Sequence, residues 1–464
     1  MASDVRPHEP VRTLGLPAAV SMVIGTVIGS GIFLVTSQMI RSVGSPSKVL
    51  AVWIFGGILT LFGALSYAEL SAAMPQSGAD YVYLNAAYGP LWGFIYGWTV
   101  TLVTKPGSIA ALASAAYRYL AEFFPGLNAI VFSVALPLGP GGGPLDIHQG
   151  QILGAGLIIL FTFVNILGTR LGGGFQVVGS GLKVALIAGI VLGGLASSHG
   201  SVANFQSSLP AHPGGIAGFV LALVAALWAY DGWTNASMIG SDIRNPEKNL
   251  PRALIWGTIA VIAIYVLTNL AYLYVLSAPE VGGSQRVAAD MMRRVVGSSG
   301  AAIVSIAAIV SILASLNGVI LSGSRVPFAM ARDGYFFEPV GRISRFQTPA
   351  ASLTLQCVWS VLLLGSGRFE DLINMVIFTE WILYGMTTAG VLVLRSTRPE
   401  MTRPYRVWGY PAVPIAFVLV AISLLYATLR ESPRESGMGL GLIIIGLPFY
   451  YYWSRRHRAF GKDR

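Results

Sequence analysis

Cysteine is nearly absent. Cys357 stands alone inside an apolar segment, so an internal disulfide is impossible and no paired-cysteine metal or redox site exists. Histidine is scarce as well: His8, His148, His199, His212 and His457 all fall in tails or expected loops, which excludes a haem or metal cluster held among apolar helices. No metal and no cofactor is implied. Charge is the third shortage. Asp, Glu, Lys and Arg make up 11% of the 464 residues while hydrophobic types reach 54%, whereas soluble domains carry about a quarter charged residues. Such a chain is an all-α integral membrane protein whose largest partner is the lipid bilayer. The formal net charge of +10 does not point to nucleic acid, because the basic residues are scattered through loops and form no soluble basic domain.

Long apolar runs are what the sequence has instead. Stretches of about 20 apolar residues number twelve, with approximate limits 14–40, 48–73, 90–121, 150–168, 174–197, 214–241, 252–277, 299–330, 350–366, 370–394, 411–429 and 437–454. The opening segment MASDVRPHEPVRTLG is polar, and the run behind it lacks a small-residue cleavage site, so the first helix is expected to stay. One transmembrane domain of twelve helices is expected over 14–454, with a cytoplasmic tail at 1–13 and a basic cytoplasmic tail at 455–464. Even parity puts both termini on one side. If that side is the cytoplasm it holds nineteen of the 30 Lys and Arg residues against nine outside, with Lys105 and Lys183 at membrane depth, as the positive-inside rule requires.

Two of the runs are interrupted. GTVIGSGIF, Gly25–Phe33, sets three glycines in the first, although lipid tolerates broken backbone only where it is buried in protein or lines a cavity. Gly29, Ser30 and Gly31 let the chain leave helical geometry, and the N–H groups of the half-helix starting near Ile32, with the Ser30 hydroxyl, offer an anion site backed by the helix dipole. Thr26 and Val27 stand at its edge. The sixth run carries WAYDGWTNASMIG from Trp228 to Gly240, where Tyr230, Asp231 and Gly232 would leave carbonyls and a carboxylate suited to an ammonium group. Paired interruptions at corresponding places in two halves point to a transporter site, and together these two suit a zwitterion. Close helix packing through Gly25 and Gly29 is the competing reading of the first stretch. Trp228, one turn before the second gap, is placed to cover a ligand.

Intramembrane charges come next. Lys183 lies about nine residues inside the fifth run, or roughly 13 Å at helical rise, too deep for its stem to reach the interface easily. It is the candidate coupling residue, since a fixed ammonium can occupy the place of a sodium ion. Lys105 precedes Pro106 in LVTKPGS and fits either a kink or a pathway. Glu380, in FTEWILYG, is also deep, with no assigned partner. Asp231 needs a partner, which Lys105 or Lys183 is expected to supply. Glu69, near the end of the second run, reads as one member of an interfacial salt bridge. The cluster SDIRNPEKNLPRA and Arg325 are placed to close an inner gate.

These motifs together carry a family likeness. The sequence resembles amino-acid transporters of the amino acid–polyamine–organocation superfamily, within it the L-type amino acid transporter branch, which includes bacterial small-neutral amino acid exchangers. GTVIGSGIF, WIFGGILTLFGALSYAELSAAMPQSGADYVYL and WAYDGW followed by NPEKNLPRA carry the resemblance. TKPGS, Lys183, SLNG followed by SR, and GLPFYYYW complete it. It implies five helices plus five in inverted repeat, with helices 1 and 6 broken, then two more. Substrate-binding positions carried over are Thr26, Val27, Gly29, Ser30, Gly31, Ile32, Trp228, Tyr230, Asp231 and Gly232, with Lys183 in coupling. Animal members join a heavy chain through a cysteine between the third and fourth helices. This loop has none, so no disulfide-linked heavy chain is expected.

The expected function is secondary active transport: sodium-independent exchange or uptake of small neutral L-amino acids by alternating access, in a plasma membrane, here a bacterial inner membrane. A carrier of cationic and neutral amino acids is the alternative, and a receptor-like sensor on the same fold a remoter one. A membrane enzyme lacks the histidines for a cofactor, and a channel would need a continuous polar path or repeated filter, neither of which is evident. The oligomeric state is not fixed by these residues.

Overall fold

The computed structural model describes residues 12–134, 145–366, 369–431 and 433–460. Residues 1–11 of the expected first tail, 461–464 of the second, the Gly- and Pro-rich stretch 135–144 and Arg368 lie outside them. The first apolar run folds as α1 (Leu16–Val27) and α2 (Gly31–Val43), and the second as α3 (Pro46–Ala73), whose first-turn proline occupies a position that needs no N–H partner. A short helix, α4 (Asp80–Tyr88), has no counterpart among the expected runs. The third run is α5 (Pro90–Thr99), a π-helical turn at Val100–Thr104, and α6 (Lys105–Leu120). That turn has a local cause: Pro106 has no N–H for the Leu102 carbonyl and its ring would crowd it. The carbonyl accepts from Trp359 Nε1 instead, at 2.7 Å.

Beyond α6, strands β1 (Ile130–Val134) and β2 (Leu145–His148) pair antiparallel. Then come α7 (Gln149–Leu167) and α8 (Thr169–Leu195). The sixth run divides into α9 (Gly215–Ala229), an irregular turn, the one-turn α10 (Asn235–Met238) and a 3-10 turn at Gly240–Asp242, before α11 (Pro246–Val275). Two short helices follow, α12 (Ala278–Gly283) and α13 (Val287–Val296), then α14 (Ser299–Gly323) and α15 (Arg325–Arg332). The chain ends in α16 (Ala350–Gly365), α17 (Phe369–Thr397), α18 (Ala412–Glu431) and α19 (Pro433–Phe460). Among the described residues, six helical stretches are long and apolar enough to cross a membrane: α3, α7, α8, α11, the α14–α15 pair and α18. Helices α1, α9 and α16 are apolar but shorter, the first two because their runs are interrupted.

Polarity is inverted relative to a water-soluble protein. Ile152, Ile159 and Phe163 on α7, Val178 and Leu192 on α8, and Leu419 and Ile422 on α18 face outward, while Asp80, Lys105, Lys183, Asn269, Asn317 and Arg325 are buried. An apolar exterior around a polar interior is the arrangement a bilayer favours. Helix α1 packs against α8, α11 and α14, α2 lies along α9, and α17 covers α3, α4 and α6. These contacts bring the two interruptions together.

Candidate functional site

The first interruption is confined to residues 28–30. The C-terminal end of α1 directs the carbonyls of Gly25 and Ile28 toward α8, where Lys183 Nζ donates to them at 2.7 and 2.5 Å and to Ser315 Oγ at 3.1 Å. Three ammonium N–H groups thus meet three acceptors. Ser311 Oγ also donates to the Ile28 carbonyl, at 2.8 Å, and Ser315 Oγ to that of Gly25, at 2.8 Å. Lys183 is fully buried, and its charge is neutralised by a helix C-terminus rather than by a carboxylate. On the other side of the gap, the N–H groups of Ser30, Gly31 and Ile32 find no backbone acceptor among the described residues, as the first turn of α2 requires.

The second interruption lies against the first. Gly232 has φ +109°, and a Cβ there would stand 3.0 Å from the Thr26 carbonyl oxygen, so both backbone conformation and close approach require glycine. Its carbonyl accepts from Thr26 Oγ1 at 2.9 Å and from Asn235 Nδ2 at 2.8 Å. The Tyr265 hydroxyl of α11 spans both helix ends, 3.0 Å from the Val27 carbonyl and 2.8 Å from that of Ala229. Asn235 extends the link: its Oδ1 accepts from Lys105 Nζ at 3.0 Å and from Ser322 Oγ at 2.7 Å.

A cavity of about 410 Å³ opens between these elements. Thr26, Val27, Gly29, Ser30, Gly31, Trp228, Asp231 and Gly232 line it, together with Lys105 and Glu380. Two other sequence candidates face elsewhere. The Tyr230 hydroxyl donates to the Trp53 carbonyl at 3.0 Å and its ring packs edge-on to Trp53, while the Ile32 side chain is wholly buried in the core. The two glycines of the first gap also differ. A Cβ at Gly29 would meet only the Val27 carbonyl oxygen, at 4.0 Å, whereas one at Gly31 would stand 3.0 Å from Ala229 Cβ. Gly29 opens on the cavity, and Gly31 is where α2 and α9 approach.

The expected lysine partner of Asp231 is corrected by this geometry. Asp231 accepts from the Tyr384 hydroxyl at 2.9 Å, because Lys183 is committed to α1 and Lys105 reaches Asn235. Tyr265, Asn235, Ser311, Ser315 and Tyr384 were not among the sequence candidates. A hydroxyl or amide inside an apolar run gives no signal of which carbonyl it will meet across more than thirty residues of chain.

Beyond the cavity, on the side where α1 begins, the interior is closed by a buried ion pair. Arg325 Nε donates to Asp242 at 2.8 Å, with both side chains about 1% exposed, and Arg325 also reaches Thr169 and Ser324. The chain before α1 is pinned there as well, Leu14 N to the Asp242 carbonyl at 2.9 Å and Arg244 N to the Leu14 carbonyl at 2.8 Å. At the same end Glu69 bonds Arg395 Nε at 2.9 Å and lies 3.3 Å from Arg403 Nε, the salt bridge expected of it. Toward the opposite end the cavity runs past Arg118 and Tyr119 to an ion pair between Glu122 and Arg286.

Two interrupted helices that meet at a cavity closed at one end are the architecture of a membrane carrier. The chain belongs to the amino acid permease family, whose model matches residues 14–463. It is 32% identical over 454 residues to the b(0,+)-type amino acid transporter 1 of Mus musculus, covering 97% of this chain and 89% of that protein. It is 33% identical over 454 residues to the serine/threonine exchanger SteT of Bacillus subtilis strain 168, covering 96% and 97%. With the large neutral amino acids transporter small subunit 2 of Mus musculus it shares 30% over 463 residues, covering 97% and 83%. These relatives put it in the L-type branch as a multi-pass membrane transporter.

Proposed function

We propose that this protein carries small neutral L-amino acids across a bacterial inner membrane by alternating access, as a sodium-independent exchanger or uptake carrier and not as an enzyme. The observation that carries the reading is the junction of the two interruptions: N–H donors at Ser30 and Gly31 with no backbone acceptor among the described residues on one wall and the carbonyl-rich turn at Ala229–Gly232 on the other, tied by Thr26 and Tyr265. A substrate carboxylate at the first and an α-ammonium at the second satisfy both walls. The substrate side chain then projects toward Trp228, whose ring restricts the space and favours small residues. The names of the serine/threonine and neutral amino acid relatives support the same substrate class.

In this reading the chain has twelve spans with cytoplasmic termini, five plus five in inverted repeat and two more, supported by the basic-residue asymmetry of the sequence. The sealed end with Asp242 and Arg325 is then cytoplasmic, and the cavity faces outward. Lys183 stands in for a coupling cation, supported by its hold on the carbonyls that end α1. No disulfide-linked heavy chain is needed, because no cysteine lies between the third and fourth spans. The cationic-and-neutral alternative is favoured by one observation: Asp231 and Glu380 both line the cavity.

The test is uptake of radiolabelled amino acids into proteoliposomes, preloaded with buffer or with unlabelled amino acid, with and without sodium and a pH gradient. Sodium-independent uptake of alanine or serine is expected. Lack of amino acid uptake under every condition, or strict dependence on a sodium gradient, would overturn it.

A further inference from the structure

Glu380 is not used by the transport scheme above. It stands on α17 in the cavity wall at 7% exposure, and no N–H or O–H among the described residues donates to it. The polar group it meets is another acid, Asp231, close enough for the two carboxyl groups to share a hydrogen bond. Asp231 is already supplied by Tyr384. Two carboxylates have no proton to place between them, and both ionised at contact distance repel strongly.

The surrounding charges do not remove the conflict. Lys105, from α6, acts on Glu380 but directs its ammonium to Asn235. Asp80, from α4, adds a third carboxyl and is itself held by the hydroxyls of Tyr67 on α3 and Tyr96 on α5. Tyr96 and Tyr384 are the phenols that feel Glu380 directly. Asp80 is thus served by its two phenols, and the Glu380–Asp231 pair is left with one ammonium, that of Lys105, acting on Glu380. Fully ionised, the pair would hold one uncompensated negative charge in the cavity wall, an arrangement proteins avoid by binding a proton or a cation.

We propose that Glu380 is a proton-binding residue of the carrier, loaded from the aqueous cavity and sharing its proton with Asp231 while substrate is bound. The step is a proton transfer from water-borne hydronium to a Glu380 oxygen, reversed on release, and no electrons move. With Glu380 neutral, the pair carries one negative charge against the one positive charge of Lys105, and the two together match a zwitterion of no net charge. Substrate affinity then falls as the pH rises and Glu380 loses its proton. Only this last consequence rests on the amino acid reading.

The experiment has two arms on the purified full chain. Infrared difference spectra across a pH titration, with no substrate present, should show the carbonyl stretch of a protonated carboxyl that vanishes at high pH and is missing from Glu380→Gln. Binding of labelled alanine should weaken by about tenfold per pH unit above the same midpoint. In Glu380→Gln, which mimics the neutral acid, it should stay flat at the wild-type acid-pH affinity. Tyr384→Phe, which takes away the donor of Asp231, should move the infrared midpoint to higher pH. A band that persists in Glu380→Gln, or a pH profile that survives it, overturns the proposal. So does a pH-independent wild type in which Glu380→Gln loses lysine binding alone, which would make the pair a subsite for cationic side chains. A Glu380-dependent band in a protein that binds no amino acid supports the proton site and rejects the transport reading.

Discussion

The Thr26 hydroxyl lies 2.9 Å from the Gly232 carbonyl oxygen and so joins two helices interrupted two hundred residues apart in sequence. Its single proton is shared with the Met22 carbonyl at 2.6 Å in its own helix, so the bond holds one broken end against the other without fixing either rigidly. A substrate between the gaps would contact both halves of the bundle through this junction. Closure of one half on the other can then be sensed where the ligand sits.

Glycine substitutions separate the binding surface from the packing around it. Gly29→Leu should leave the fold intact and abolish substrate binding, since its side chain has open cavity ahead of it. Gly31→Leu should lower the melting temperature, because its Cβ begins 3.0 Å from Ala229. Gly232→Ala, strained at φ +109° and pressed on the Thr26 backbone, should do so as well, by about 1–3 kcal/mol for the strained backbone alone. Thermal unfolding with and without labelled alanine distinguishes the two classes. Equal destabilisation by Gly29→Leu would show that Gly29 also packs.

Lys183→Ala should cut exchange by at least about tenfold, equivalent to ~1.4 kcal/mol, in the presence or absence of sodium. Ser311 and Ser315 still serve the α1 carbonyls in that variant, so the chain is expected to insert and fold. Counterflow of labelled serine measures it. Exchange at the wild-type rate would remove Lys183 from coupling.

Legibility in the sequence followed how local each signal was. The first gap announces itself through Gly29, Ser30 and Gly31, and the second through Asp231 and Gly232, because breaking a membrane helix demands residues that are conspicuous there. The partners were hidden. Tyr265 sits inside an apolar run where a tyrosine reads as packing or interface, and only the approach of α11 to both helix ends gives its hydroxyl two carbonyls. Pro106 signalled a kink in the third run, but not that Trp359 would donate to the Leu102 carbonyl the kink leaves free. Tyr230 shows the converse: it adjoins Asp231 in sequence, yet the turn sends its ring to Trp53 and away from the cavity. Helix α4 was missed because its nine residues are too short to register as an apolar run.

The sealed end should open when its buried ion pair is broken. Removing one partner of such a pair leaves the other charge uncompensated, at about 3–5 kcal/mol, so Arg325→Ala favours conformations in which Asp242 reaches water. With Cys357→Ala as background, a cysteine at Met238, 2% exposed beside this seal, should resist a membrane-impermeant thiol reagent applied to inside-out vesicles and become reactive in Arg325→Ala. Continued protection would mean that Leu14 and the loop after Asp242 hold the end shut without the ion pair.

In the proposed binding mode, selectivity for side-chain size falls to Trp228, which is half-buried, lines the cavity and would lie 3.4 Å from a Cβ at Gly31. In that mode the groups common to all amino acids are met by the N–H donors of α2 and the turn after α9, so discrimination falls to what surrounds the side chain. An indole removed there leaves an apolar space that a larger side chain can fill, and each methylene gained in such a pocket contributes about 1–3 kcal/mol. Trp228→Ala should therefore lower affinity for alanine and serine and raise that for leucine or phenylalanine, shifting the ratio of their uptake by tenfold or more, on the order of a single methylene's worth. Competition against labelled alanine in wild type and variant gives the ratio directly. If both proteins rank the competitors alike, the side chain projects elsewhere, toward Ser108 and Lys105 on α6, and that wall sets the substrate class.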